Sequence, residues 1–194
     1  SRGLGDVYKR QESGRINASN PCSEYMSLDN SSCNLASLNL MKFLKSDGSF
    51  DAKTFAKASD LIITAMDISI CFADFPTEAI GDTTRAFRQL GIGYANLGAL
   101  LMASGLAYDS EGGRALAGSI TSLLSGTTYK RSAELAGIVG PYAGFAQNAK
   151  PHARVMRKHA AASSAAKQET TLDIDVWNEA NKAWDACLAT GDKL

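Results

Sequence analysis

The sequence has no excess of charge of either sign: twenty Lys and Arg balance twenty Asp and Glu over 194 residues. A neutral chain lacks the electrostatic footprint that draws proteins onto nucleic acid, so nucleic-acid binding is not its main work. Long apolar runs are missing too, and nothing approaches the roughly 20 residues of a membrane-spanning helix. The opening Ser1-Arg2-Gly3-Leu4-Gly5-Asp6 has no apolar segment of a secretion signal. A cytoplasmic protein without membrane contact is expected. Cysteine is scarce, with only Cys22, Cys33, Cys71 and Cys187, too few for the disulfide framework of a secreted protein. No two of them fall at the short spacing of a zinc finger, so no metal site is expected. Cys71 and Cys187 lie inside helical patterns and read as small buried hydrophobes.

What the chain does have is helical periodicity behind one strand. In Cys33-Asn34-Leu35-Ala36-Ser37-Leu38-Asn39-Leu40, period-two alternation puts Cys33, Leu35, Ser37 and Asn39 on one face. Asn34, Ala36, Leu38 and Leu40 take the other. A helix is expected from a cap at Asp51 to about Asp74, stopped by Phe75-Pro76. Its apolar Phe55, Leu61, Ile62, Met66, Ile70 and Phe72 cover more than one face, which predicts a buried helix. A second is expected over Thr83–Ala103, on Phe87, Leu90, Tyr94, Leu97 and Leu101, with Gly105 ending it. It absorbs Gly91-Ile92-Gly93-Tyr94-Ala95-Asn96-Leu97-Gly98, whose glycine spacing fits neither a dinucleotide fingerprint nor a P-loop and reads as close helix packing. Further helices are expected over Ser110–Ala136, His152–Ala166 and Asp173–Ala189. The cations Lys150, Arg154, Arg157 and Lys158, with His152 and His159, read as a solvated helix face complemented by Glu169, Asp173, Asp175 and Glu179. One strand among helices has no visible partner, and a lone strand is not stable. Its neighbours must come from outside this stretch or from another chain, and the start at Ser1 in place of Met also reads as a fragment.

Chemistry concentrates at Asn20-Pro21-Cys22-Ser23-Glu24, with Cys33 eleven residues beyond Cys22. On an extended backbone Asn20, Cys22 and Glu24 share a face, setting an oxidisable sulfur between an amide and a general base. That constellation suits redox or radical chemistry on a hydroxylated substrate. The same residues also suit a capped turn, since Asn-Pro initiates turns and Ser23 and Glu24 can serve a helix start.

Ala18-Ser19-Asn20-Pro21-Cys22-Ser23-Glu24-Tyr25-Met26, Ser32-Cys33-Asn34-Leu35-Ala36-Ser37-Leu38-Asn39-Leu40 and Phe87-Arg88-Gln89-Leu90-Gly91-Ile92-Gly93-Tyr94-Ala95-Asn96-Leu97-Gly98-Ala99-Leu100-Leu101-Met102 together resemble the catalytic subunit of ribonucleotide reductases. The short interval between the cysteines is similar to that of the adenosylcobalamin-dependent class II enzymes. Residues 1–11 do not fit the pattern and read as a non-native leader, leaving 12–194 as part of the catalytic barrel domain. The resemblance implies an α/β fold: a fragment of the family's ten-stranded barrel, mostly helical here, with one finger loop and its adjoining strand. It implies Cys22 as the thiyl radical that takes the 3′ hydrogen of a ribonucleotide, formed with adenosylcobalamin by cobalt–carbon homolysis. Glu24 is then the general base on the 3′ hydroxyl, Asn20 orients the ribose, and Cys33 is half of the reducing dithiol. The implied partners are a ribonucleotide substrate, nucleotide effectors of the longer enzyme, and an external dithiol reductant such as thioredoxin. The fragment alone is expected to be inactive. A class I catalytic subunit is the nearest alternative, and a non-catalytic helical interaction module with a Cys22–Cys33 disulfide is the alternative of another kind.

Overall fold

The computed structural model describes residues 12–21 and 25–193. Two short strands, β1 (Ala18–Ser19) and β2 (Met26–Ser27), pair antiparallel. The strand expected after Cys33 forms as β3 (Asn34–Asn39), and a 3-10 turn, Leu40–Phe43, carries the chain off its end. Helix α1 (Ala52–Ile70) starts where expected, with the Asp51 carboxylate accepting the Thr54 N–H at 3.0 Å. That hydrogen bond also holds the Asp51 carboxyl below its ordinary range.

The second expected helix is three elements. Helix α2 (Glu78–Phe87) ends at Arg88, whose φ of 46° is left-handed and stops the helix. Strand β4 (Leu90–Ala95) follows, then Asn96 at φ 68° turns the chain into α3 (Leu97–Ala103). The strand explains the glycines. Ile92 and Tyr94 pack on the core while Gly91 and Gly93 take the opposite face, a period of two that overrides the helical spacing of Leu90, Tyr94, Leu97 and Leu101.

β4 is also the missing partner of β3. The two run parallel, from Asn34 beside Leu90 to Asn39 beside Ala95, with α1 and α2 in the crossover that a parallel pair requires. The expectation that every sheet neighbour lies outside this stretch is corrected.

Long helices back the sheet: α4 (Glu111–Val139), α5 (Phe145–Ser164) and α6 (Thr171–Gly191). Ser110 caps α4 by accepting the Gly113 N–H at 3.0 Å, and a Cβ at Gly113 would lie 2.6 Å from the Ala107 carbonyl. α5 starts well before His152, at Phe145, passing through the buried Pro151. α6 opens with a capping box in which the fully buried Asp173 accepts the Thr170 N–H at 3.1 Å. The core gathers Leu38, Leu40, Phe55, Leu100, Leu116 and Ile120 between the sheet, α1 and α4. The rings of Phe43 and Phe50 pack edge-on to Phe55 at 5.1 and 5.4 Å between centroids. α1 is not buried all round as expected. Phe55, Ile63, Met66 and Ile70 face the core, but Leu61 and Ile68 are exposed on its outer side. Among the described residues no helix is long and apolar enough to cross a membrane.

Candidate active site

The chemistry-bearing segment is the connection of the β1–β2 hairpin. Beyond Ser19 and Met26 the next opposed pair is Asn20 and Tyr25. The Asn20 N–H donates to the Tyr25 carbonyl at 3.2 Å, and the Tyr25 N–H donates to Asn20 Oδ1 at 3.0 Å. Cys22, Ser23 and Glu24 lie outside the described residues, so no geometry is assigned to Cys22 or Glu24. The oxygen of Asn20 accepts the Tyr25 N–H, and its amide N–H₂ is the end with donors for a ligand.

The hairpin is fastened to the segment that leads into β3. The Tyr25 hydroxyl lies 3.0 Å from both Ser31 Oγ and the Ser32 carbonyl, and it hydrogen-bonds Gln89 Oε1. The Ser32 N–H donates to Thr84 Oγ1 at 3.0 Å, with the two hydroxyls also at 3.0 Å. Tyr25 is three residues from Cys22, and Ser32 precedes Cys33. The fold therefore ties the flank of one cysteine to the flank of the other. Sequence reasoning missed Tyr25, Gln89 and Thr84 as working residues, although Tyr25 and Gln89 stand within the motifs that carried the resemblance.

Cys33 is half-buried at the foot of β3, its thiol 3.3 Å from the Asn34 carbonyl. Cys22, its partner in the interaction-module reading, lies outside the described residues. Ahead of Cys33 runs the outer face of the sheet: Leu35, Ser37 and Asn39 on β3 are exposed, opposite Gly91, Gly93 and Ala95 on β4. A Cβ at Gly93 would meet nothing within 4 Å. At its far end Asn96 Nδ2 donates to Asn39 Oδ1 at 2.8 Å. Parallel sheets are ordinarily covered on both faces, so this one has room for further protein or for a ligand.

Two expectations about other residues are corrected. Cys71 is exposed at the end of α1, its sulfur 3.7 Å from the Arg88 guanidinium, which also pairs with Asp67 at 2.9 Å. Among the described cysteines Cys187 alone is buried, as expected of it, and burial pushes its thiol up to about 11. The pairs seen among the described residues differ from the expected ones: Arg157 pairs with Asp192 at 2.6 Å, Glu179 with Lys182 at 2.8 Å, and Asp173 is engaged in its helix cap. The His159 ring stacks on Trp184 at 6.0 Å, and His152 sits edge-on to Phe145 at 5.5 Å. Among the described residues no three His, Cys, Asp or Glu side chains gather as metal ligands.

Fold and hairpin together define an α/β unit: a parallel strand pair backed by helices, with Tyr25 of the hairpin tied to the segment that enters β3. The ribonucleotide reductase barrel-domain pattern matches residues 6–193, and the chain belongs to that family. It is 69% identical over 186 residues to a vitamin B12-dependent ribonucleotide reductase of Streptomyces coelicolor, covering 94% of this chain and 19% of that protein. A protein of the same description from Streptomyces avermitilis is 68% identical over 186 residues, with 94% and 19% covered. One from Rhodopirellula baltica is 45% identical over 181 residues, with 93% and 17% covered. The chain thus spans about a fifth of the length of these relatives.

Proposed function

We propose that this chain is the radical-bearing part of a cytoplasmic enzyme that reduces ribonucleotides to 2′-deoxyribonucleotides, within the ten-stranded α/β barrel of the family. The observation that carries the reading is the Tyr25–Ser32 hydrogen bond at 3.0 Å, which links the flanks of Cys22 and Cys33 beside an open sheet face. Cys22 is the thiyl residue, Glu24 the base, Asn20 the ribose-orienting amide and Cys33 one member of the reducing dithiol. Most contacts to the adenosylcobalamin cofactor are assigned to the rest of the longer protein, as are the effector sites and the second cysteine of the dithiol.

Each residue type suits its step. Once Cys22 is a thiyl radical, its sulfur takes the 3′ hydrogen atom and becomes a thiol, leaving a carbon radical. Glu24 accepts the 3′ hydroxyl proton, which favours departure of the 2′ hydroxyl as water. The dithiol containing Cys33 gives up two electrons and two protons and becomes a disulfide, Glu24 returns its proton to the 3′ oxygen, and Cys22 returns its hydrogen atom to the 3′ carbon. A thioredoxin-type dithiol then reduces that disulfide by exchange.

In the full-length protein, Cys22→Ser is expected to abolish deoxyribonucleotide formation, because a hydroxyl does not form the radical. Cys33→Ser is expected to lose turnover driven by an external dithiol. Both are read from deoxyribonucleotide yield, and full activity of Cys22→Ser sinks the proposal.

A further inference from the structure

Gln89 has no part in the roles above, yet it is 3% exposed and polar. It stands just before β4, where Leu90 lies beside Asn34, so one step back along the parallel register Gln89 is beside Cys33. Its Oε1 accepts the Tyr25 hydroxyl, and its Nε2 is buried with no hydrogen-bond partner among the described residues. A buried amide with half its capacity unmet is costly, and a leucine would fill such a position without that cost. Tyr25 is 7% exposed; its N–H donates to Asn20, and its single hydroxyl proton is shared between the Ser32 carbonyl and Gln89. Thr84, 2% exposed, holds Ser32 from α2. The polar cluster therefore joins the closing residue of the Cys22 loop to both strands of the parallel pair.

We propose that Tyr25 and Gln89 form a clamp that fixes the chain three residues beyond Cys22 at the start of β4, which makes both of them positioning residues for hydrogen-atom transfer. The inference rests on the reading of Cys22 as the thiyl residue. Transfer of a hydrogen atom depends on distance, and a misplacement of about 1 Å can cost on the order of a hundredfold in rate.

The test uses the full-length protein with its cofactor. Tyr25→Phe and Gln89→Leu are each expected to lower kcat about tenfold, with the ribonucleotide KM within about twofold. Tyr25→Phe leaves the Gln89 amide and the Ser32 carbonyl without the hydroxyl and melts lower, whereas in Gln89→Leu the hydroxyl keeps the Ser32 carbonyl and the melting temperature stays near wild type. The double variant Tyr25→Phe/Gln89→Leu removes both groups, so its melting temperature is expected to return toward wild type while kcat stays low. Recovery of kcat along with melting temperature overturns the clamp, as does a wild-type kcat in both single variants. Iodoacetamide modification of Cys22 in Tyr25→Phe, followed by mass spectrometry of its peptide, is expected to quicken several-fold as the loop loosens. An unchanged rate overturns the clamp. Activity remaining in Cys22→Ser instead removes the thiyl reading, and the alkylation rate then still decides the clamp alone.

Discussion

The two faces of the β3–β4 pair are built on opposite plans. Toward the helices, Leu38 is 9% exposed and Ile92 and Tyr94 join it against Phe55, Leu116 and Ile120. Toward the outside, Leu35 is 63% exposed, three positions before Leu38 in the same strand, and the strand opposite offers two glycines. Along the inner face, apolar side chains find their partners within this chain. The outer face carries polar, small or stranded apolar residues, with Cys33 at its foot. The contrast teaches that stability and chemistry are divided by the pleat: alternate residues of one strand serve one or the other. The same rule explains why the outer face looks unfinished in a chain about a fifth as long as its relatives.

The largest expected effect lies on the inner face. Phe55→Ala removes a ring that is 0% exposed and touches Phe43 and Phe50 edge-on. It is expected to destabilise the chain by about 3–5 kcal/mol, read from chemical denaturation. A loss under about 1 kcal/mol would break the claim that this face is the packed one.

Next comes a pH effect confined to the helical layer. Burial raises Cys187 from 9.0 to about 11, so the unfolded thiol ionises first. Its contribution is whole below pH 9 and is lost as pH rises toward about 11, with a slope of at most about 1.4 kcal/mol per pH unit. Cys187→Ala should flatten that decline in a pH series of denaturation midpoints. The exposed Cys71 should react with iodoacetamide at pH 8 while Cys187 stays unmodified in the folded chain. Smaller again, Thr170→Ala removes the hydroxyl that accepts the Leu172 N–H at 3.2 Å and should cost about 1 kcal/mol.

Much of this division is legible in the sequence, and the misreadings have physical causes. The alternation of Cys33–Leu40 marks β3 with its correct faces, and Asp51 and Ser110 mark helix starts because their side chains accept the first N–H groups. β4 escapes the pattern because Leu90, Tyr94, Leu97 and Leu101 fit a helix as well as Ile92 and Tyr94 fit a strand. What decides the matter is the left-handed backbone at Arg88 and Asn96, which side-chain patterning does not reveal. The expected helix begins only at His152, whereas α5 starts at Phe145 and carries on through Pro151, which has no N–H for the Gln147 carbonyl. Within the site, the residue types of the Cys22 loop are readable from motif alone. The Tyr25–Gln89 contact joins residues 64 apart, and no local pattern announces such a pairing.

The smallest expected effect is the sharpest test of the two-faced plan. Leu35→Ser replaces an apolar side chain that is 63% exposed, so in this chain alone the denaturation midpoint should move by no more than about 0.5 kcal/mol. In the full-length protein the same change should cost more, on the order of 1–3 kcal/mol, because a covered leucine loses its burial there. The difference between the two measurements, not either alone, reports whether the outer face is closed by the rest of the protein. Equal and near-zero losses in both would mean that Leu35 faces solvent throughout, and the sheet would then be one-sided by design. A large loss in the short chain would mean that the outer face is already packed, which removes the space in which a substrate could meet Cys22 and Cys33.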